Sequence, residues 1–159
     1  MQKGLVMDYS RLSLPEIFIM GVAIRTTNAG GKASEDIPAF WQYVQEDNLL
    51  DAVSMAIEPH KVFAIYTDYA PDGSYVMIIG KQVASLENVP ASLVTCTIPA
   101  GNYAAFSAHG AEFGQSVGHV WEKIWQMPLD RAFTCDFEIY EAELLSKPIP
   151  EVPIYVALK

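Results

Sequence analysis

The stretch Asp136, Phe137, Glu138, Ile139, Tyr140 alternates apolar and polar side chains with the period of a β-strand. Phe137 and Ile139 therefore share one face, and Asp136, Glu138 and Tyr140 share the other. A carboxylate stands two residues from a phenol on the same surface. The core of the stretch has an earlier counterpart in Phe63, Ala64, Ile65, Tyr66, with a methyl group at the position that Glu138 fills. A charge that breaks an internal repeat is the first candidate for a functional group.

Working outward, the second half of the chain reads as strands over 93–98 and 103–108, separated by the turn residues Pro99 to Asn102. A helix over about 113–127 follows, with Phe113, Val117, Val120, Trp121 and Ile124 at helical spacing and Pro128 as its stop. The strand over 133–142 carries Glu138, and a last strand covers 152–158. The first half reads the same way. A long strand over 14–27 contains Gly21, which suggests a bulge or bend. A helix then starts near Ser34 or Asp36, with Pro38 in its first turn, and places Ile37, Phe40, Trp41 and Val44 on one face. A hairpin with strands 62–69 and 75–83 turns at Pro71, Asp72, Gly73. Residues 1–13 read as a polar lead-in, and 49–60 have no assigned element. Strand, helix, hairpin, given twice, predicts an α+β fold of duplicated strand-helix-strand-strand units. One antiparallel sheet and two helices would flank a central cleft with pseudo-two-fold symmetry. The chain is expected to form a single domain over 1–159, with halves of about 14–83 and 93–158.

Composition narrows the function. A chain of 159 residues that is 51% apolar and 18% charged can bury a core with a pocket in it. Its net charge of −9, with 10 Lys and Arg in all, argues against direct nucleic-acid binding and favours cationic partners. No apolar run of membrane-spanning length or signal peptide is read, so no membrane partner and a cytoplasmic location are expected. Cys96 and Cys135 lack metal or redox spacing and read as small buried hydrophobes. His60, His109 and His119 match no ligand motif, and neither a phosphate loop nor a dinucleotide fingerprint is present. Neither a metal nor a cofactor is expected.

Ile98, Pro99, Ala100, Gly101, Asn102, Tyr103, Ala104, Ala105, Phe106, then His109 and Gly110, then Trp121 and Trp125, then Asp136 to Tyr140, form an ordered signature. It resembles that of the GyrI-like (gyrase-inhibitor-like) small-molecule-binding domain, the effector module of AraC-type and multidrug-responsive MerR-type regulators. The chain is also similar to stand-alone cationic-drug-binding members encoded on integron cassettes. The resemblance implies a cleft shared by two strand-helix-strand-strand units, in which Glu138 matches the glutamate that attracts lipophilic cations. No DNA-binding pair of helices fits before the first strand, so direct transcription control is not implied.

Each candidate residue has a plainer reading beside the functional one. Glu138 is either an anchor in an apolar cleft, with a raised pKa while the site is empty, or a solvated side chain on an edge strand. Tyr66 and Tyr140 share the faces of positions 64 and 138, and either line the cleft or pack in the core. Trp41 and Trp121 either offer π faces to a cation or belong to helix cores. Tyr103 and Phe106 point to opposite faces, so at most one of them reaches the cleft, and Tyr155 is a further candidate. The expected function is non-enzymatic binding of amphipathic, cationic, aromatic molecules at micromolar affinity, about 8 kcal/mol. Two alternatives are a hydrolase with Glu138 as general base and a protein inhibitor of a nucleic-acid enzyme.

Overall fold

The computed structural model describes residues 8–108, 115–141 and 151–159. Along them run β1 (Ser10–Leu14), β2 (Ile17–Thr27), α1 (Lys32–Glu46), β3 (Lys61–Thr67), β4 (Ser74–Val83) and β5 (Val94–Ile98). Then come β6 (Gly101–Ala108), α2 (Gln115–Gln126), β7 (Cys135–Glu141) and β8 (Val152–Ala157). His109, Gly110 and Phe113 lie outside the described residues. The strands form one antiparallel sheet in the order β1-β6-β8-β7-β3-β4-β2-β5. With two helices on a mostly β frame, the fold is α+β.

The repeat noticed in the sequence lies at the centre of the sheet. β3 pairs with β7 so that Ala64 faces Glu138, Phe63 faces Ile139 and Val62 faces Tyr140. Parity then separates two buried surfaces. On one, Val62, Ala64 and Tyr140 pack with Phe40, Trp41 and Val44 of α1 and with Val117, Val120 and Ile124 of α2. On the other, Phe63, Ile65 and Phe137 pack with Tyr103 and Tyr155. The second surface is covered because the sheet curls. Cys96 on the edge strand β5 packs against the cluster that contains Cys135 of β7, four places away in the strand order, and both thiols are free.

Several local expectations are corrected. The lead-in contains a strand, since Ser10 to Leu14 pair with β6 from Ala105 to Gly101. Its alternation is short and it stands at the end of the strand order, so it carries too few buried apolar positions to stand out. α1 begins at Lys32, earlier than expected, which places Pro38 inside the helix rather than in its first turn. A proline there has no N–H to give to the preceding turn. Residues Leu49–Ala52 form a 3-10 turn, and Ala56 bridges to Val83. The hairpin turn is as expected: Gly73 has φ 90, and Asp72 accepts the Ser74 N–H at 2.9 Å.

Gly21 makes no bulge. The β2–β4 register runs unbroken from Phe18 opposite Val83 to Thr27 opposite Ser74, with Gly21 directly across from Gly80. A Cβ at Gly21 would stand 2.2 Å from the Ile79 carbonyl oxygen, and one at Gly80 would stand 2.5 Å from that of Met20. The glycines permit a close approach of two backbones. Gly21→Ala is expected to lower stability by about 1–3 kcal/mol or more, read from the urea midpoint, because backbone has to move to admit the methyl group.

Candidate functional site

β7 lies between β3 and β8, so Glu138 is on a central strand and only 1% exposed. The reading as a solvated edge residue is excluded. Three neutral donors converge on its carboxylate. The Tyr140 hydroxyl donates to Oε1 at 2.7 Å, the Trp121 indole Nε1–H to Oε2 at 2.6 Å, and the Tyr66 hydroxyl to Oε2 at 3.1 Å. Each donor has a reason to be there. Tyr140 lies two residues along the same strand, Tyr66 lies two residues beyond Ala64 on the neighbouring strand, and Trp121 comes from the buried side of α2. Among the described residues no cation pairs with Glu138.

The cavity beside this carboxylate has a volume of about 870 Å³, within the range of small-molecule sites. Its wall is aromatic. Trp41, Tyr66, Trp121 and Tyr140 line it together with Tyr69, Tyr75, Trp125 and Phe133. The rings hold one another edge-on: Trp41 against Tyr140 at 5.1 Å and 73°, and Tyr66 against Trp121 at 5.8 Å and 79°. Such contacts fix the ring planes, so the π faces are set before any ligand arrives.

A second carboxylate shows what Glu138 lacks. Asp136, on the same face and 0% exposed, receives the Arg131 guanidinium at 2.7 Å, the Tyr69 hydroxyl at 2.6 Å and the Ala157 N–H at 2.8 Å. Its charge is balanced inside the protein. Arg131 in turn lies over Phe133 at 4.3 Å and over Trp121 at 5.8 Å. Among the described residues, two buried carboxylates two residues apart thus have opposite surroundings, one with a cation and one without.

Of the residues singled out from the sequence, Glu138, Tyr140, Tyr66, Trp41 and Trp121 come together around this cavity. Three others stand elsewhere. Tyr103 packs on the opposite surface against Phe137 and donates its hydroxyl to the Pro99 carbonyl at 2.6 Å. Tyr155 stacks on Phe137 at 4.8 Å on that same surface. Phe106 is on the helix-covered side, as its parity against Tyr103 requires, but its ring lies against Tyr9 at 5.1 Å, away from the cavity lining.

The chain matches, over residues 12–158, the family described as Cass2, integron-associated effector binding protein. This chain belongs to that family. It is 28% identical over 144 residues to YobU of Bacillus subtilis (strain 168), provisionally named a transcriptional regulator protein, covering 87% of this chain and 90% of YobU. Its fold superposes on SAV2435, solved bound to tetraphenylphosphonium, with a TM-score of 0.78, 20% identity and coverage of 96% and 94% of the two chains. It also superposes on the integron cassette protein VCH_CASS2 from the mobile metagenome of Vibrio cholerae, with a TM-score of 0.72, 27% identity and 95% of each chain covered.

Tyr69, Tyr75, Arg131 and Phe133 of the cavity lining were not singled out from the sequence, and Trp125 stood only in the ordered signature, not among the ligand-binding candidates. Register could have found Tyr75. It is two residues from Met77, which pairs with Tyr66 across the hairpin, so the two tyrosines share a face. The strand expected over 133–142 begins only at Cys135, so Phe133 falls in the connection before β7, and Arg131, which bridges to Leu158, precedes it without periodicity.

Burial pushes the Glu138 carboxyl above its ordinary value, and the hydrogen bonds from Tyr140, Trp121 and Tyr66 pull it part of the way back. Burial and the neighbouring Glu138 charge push the Tyr66 and Tyr140 phenols well above theirs, so both remain donors. The linkage has a definite sign. A carboxyl that holds its proton more tightly when folded contributes most below about pH 4.5, and that contribution is lost as pH rises through the folded value. The stability difference between the parent and Glu138→Gln is therefore expected to move in favour of the variant as pH rises from about 4 to 7. Urea titrations of both proteins at fixed pH measure it, and a difference independent of pH would contradict the assignment.

Proposed function

We propose that this protein binds aromatic, lipophilic cations in the cavity without chemical conversion, and that the Glu138 carboxylate is the charge that selects them. The observation carrying the proposal is a fully buried carboxylate that, among the described residues, is held by neutral donors alone, at the wall of an aromatic cavity. A buried anion without a cation is costly, and a ligand cation that enters offsets that cost. Rings presenting their faces add cation–π attraction, and the low-dielectric surroundings strengthen both effects. Tetraphenylphosphonium bound to the superposable SAV2435 fold supports the choice of ligand class. The net charge of −9 favours the approach of cations over long range.

The proposal also takes the chain as a duplication whose two halves, about 14–83 and 93–158, meet at the cavity. Its support is the strand order, which runs outward from the β3–β7 pair through β4 to β2 on one side and through β8 to β6 on the other. The direct opposition of Ala64 and Glu138 places the charge on only one side of that pair. The repeat explains how one half can supply an anchor while the other supplies the room beside it.

A thermal-shift screen of cationic, neutral and anionic polyaromatic dyes tests the reading. A ligand that binds the native state raises apparent stability by mass action, so the melting temperature is expected to climb with concentration for the cations alone. The dyes should be recovered chemically unchanged. Equal shifts for all three charge classes would remove the role given to Glu138, and release of a hydrolysed product would replace binding with catalysis.

A further inference from the structure

Two large aromatic side chains on the cavity lining stay half in water. Trp125 on α2 is 55% exposed, and Phe133, in the connection before β7, is 54% exposed. Exposed aromatics gain little for folding, and both of these line the same cavity while reaching solvent. Phe133 is further held at φ 56, in the left-handed region that a bulky side chain adopts only when its surroundings enforce it. The enforcement is visible. Its ring lies under the Arg131 guanidinium at 4.3 Å and edge-to-face with Tyr69 at 5.9 Å and 87°. Arg131 and Tyr69 are both fixed by the buried Asp136 carboxylate. A chain of contacts that begins at a buried ion pair therefore ends by holding a strained, half-exposed ring at the edge of the cavity.

We propose that Phe133 and Trp125 form an aryl subsite at the mouth of the cavity, which stacks the outer rings of polyaromatic ligands. The site would then separate polyaryl ions from small tetraalkyl ions of the same charge. Glu138 would read charge at the wall, and the two mouth residues would read aromatic extent. This inference rests on the cavity being the ligand site, and it does not depend on how Glu138 acts.

The test uses three probes on the full chain: tetraphenylphosphonium, tetraethylammonium and the neutral triphenylphosphine oxide. Phe133→Asn keeps a residue that tolerates the left-handed backbone, so its melting temperature is expected to rise or to stay within about 3 °C of the parent. Its affinity for tetraphenylphosphonium should fall about tenfold, the scale of one well-oriented ring contact, while that for tetraethylammonium changes less than about twofold. Trp125→Ala should show the same split and provides an independent arm on a different element. Equal loss for both ions, or no loss for the aryl ion, overturns the subsite. So does a drop of more than about 6 °C accompanied by a uniform loss, because Phe133 would then be a structural residue. The neutral probe keeps the two readings apart. If the parent binds the oxide as tightly as the phosphonium and both weaken in the variants, the charge reading falls and the aryl subsite stands.

Discussion

Glu138→Gln should bind tetraphenylphosphonium at least about 30-fold more weakly than the parent. Removing one member of a desolvated charge pair costs about 2–5 kcal/mol, and each 1.4 kcal/mol is about tenfold in affinity. The substitution changes little else in the cavity. Glutamine has nearly the volume of glutamate, and its carbonyl oxygen can still accept from one or two of Tyr66, Tyr140 and Trp121. Affinity for a neutral aryl ligand should therefore stay within a few fold. Isothermal titration of both ligands against both proteins reads the difference. A loss of less than about threefold for the cation would mean that the rings alone hold the ligand.

Asp136→Ala should be the most destabilising single change near the site, at about 3–5 kcal/mol in the urea midpoint. The carboxylate is fully buried and satisfies a guanidinium, a phenol and the Ala157 N–H. Its removal leaves the Arg131 charge and two further donors buried without their acceptor. Much of that cost is the penalty on the groups left behind, so Arg131→Met in the same background should recover part of the loss. Asp136 is expected to act on binding indirectly, through the wall that it positions. In variants that remain folded, loss of affinity should be greater for aryl ions than for tetraethylammonium, because Phe133 and Tyr69 depend on the Asp136 network. An Asp136→Ala protein as stable as the parent would show that the ion pair holds nothing in place.

The two carboxylates also explain how much could be read before coordinates. Period-two alternation put Asp136, Glu138 and Tyr140 on one face, and the echo at Phe63 to Tyr66 identified the strand that became the neighbour of β7. Those inferences depend on local geometry, which a strand imposes on any sequence that adopts it. What the pattern could not supply was the partner of each charge. Arg131 reaches Asp136 from the connection before β7, where it bridges to Leu158, and nothing local distinguishes the balanced carboxylate from the unbalanced one. Trp121 and Trp41 were placed on the correct helix faces by their spacing; Trp125 follows Trp121 at i+4 on the same face, but with over half its surface in water it lies outside the buried stripe. Tyr103 and Tyr155 fail as cavity residues for another reason. The curl of the sheet buries its second face, so an inward aromatic had two interiors to choose from. Curl is a collective result of twist along all the strands, and no short window contains it.

Gly21 belongs to the same lesson. A lone glycine in a strand signals either a bulge or a close approach, and only the register opposite Gly80 decides for the second. The missed β1 is the converse case: five residues whose role appears only once β6 lies beside them.

On the proposed reading, charge set by one buried side chain decides what enters the cavity. Tetraphenylphosphonium and tetraphenylborate have nearly the same shape and opposite charge, so their dissociation constants for the parent protein, measured by isothermal titration calorimetry at one pH and ionic strength, isolate that variable. We predict micromolar binding of the phosphonium and affinity for the borate weaker by at least about 100-fold. Comparable constants for the two ions would contradict the account.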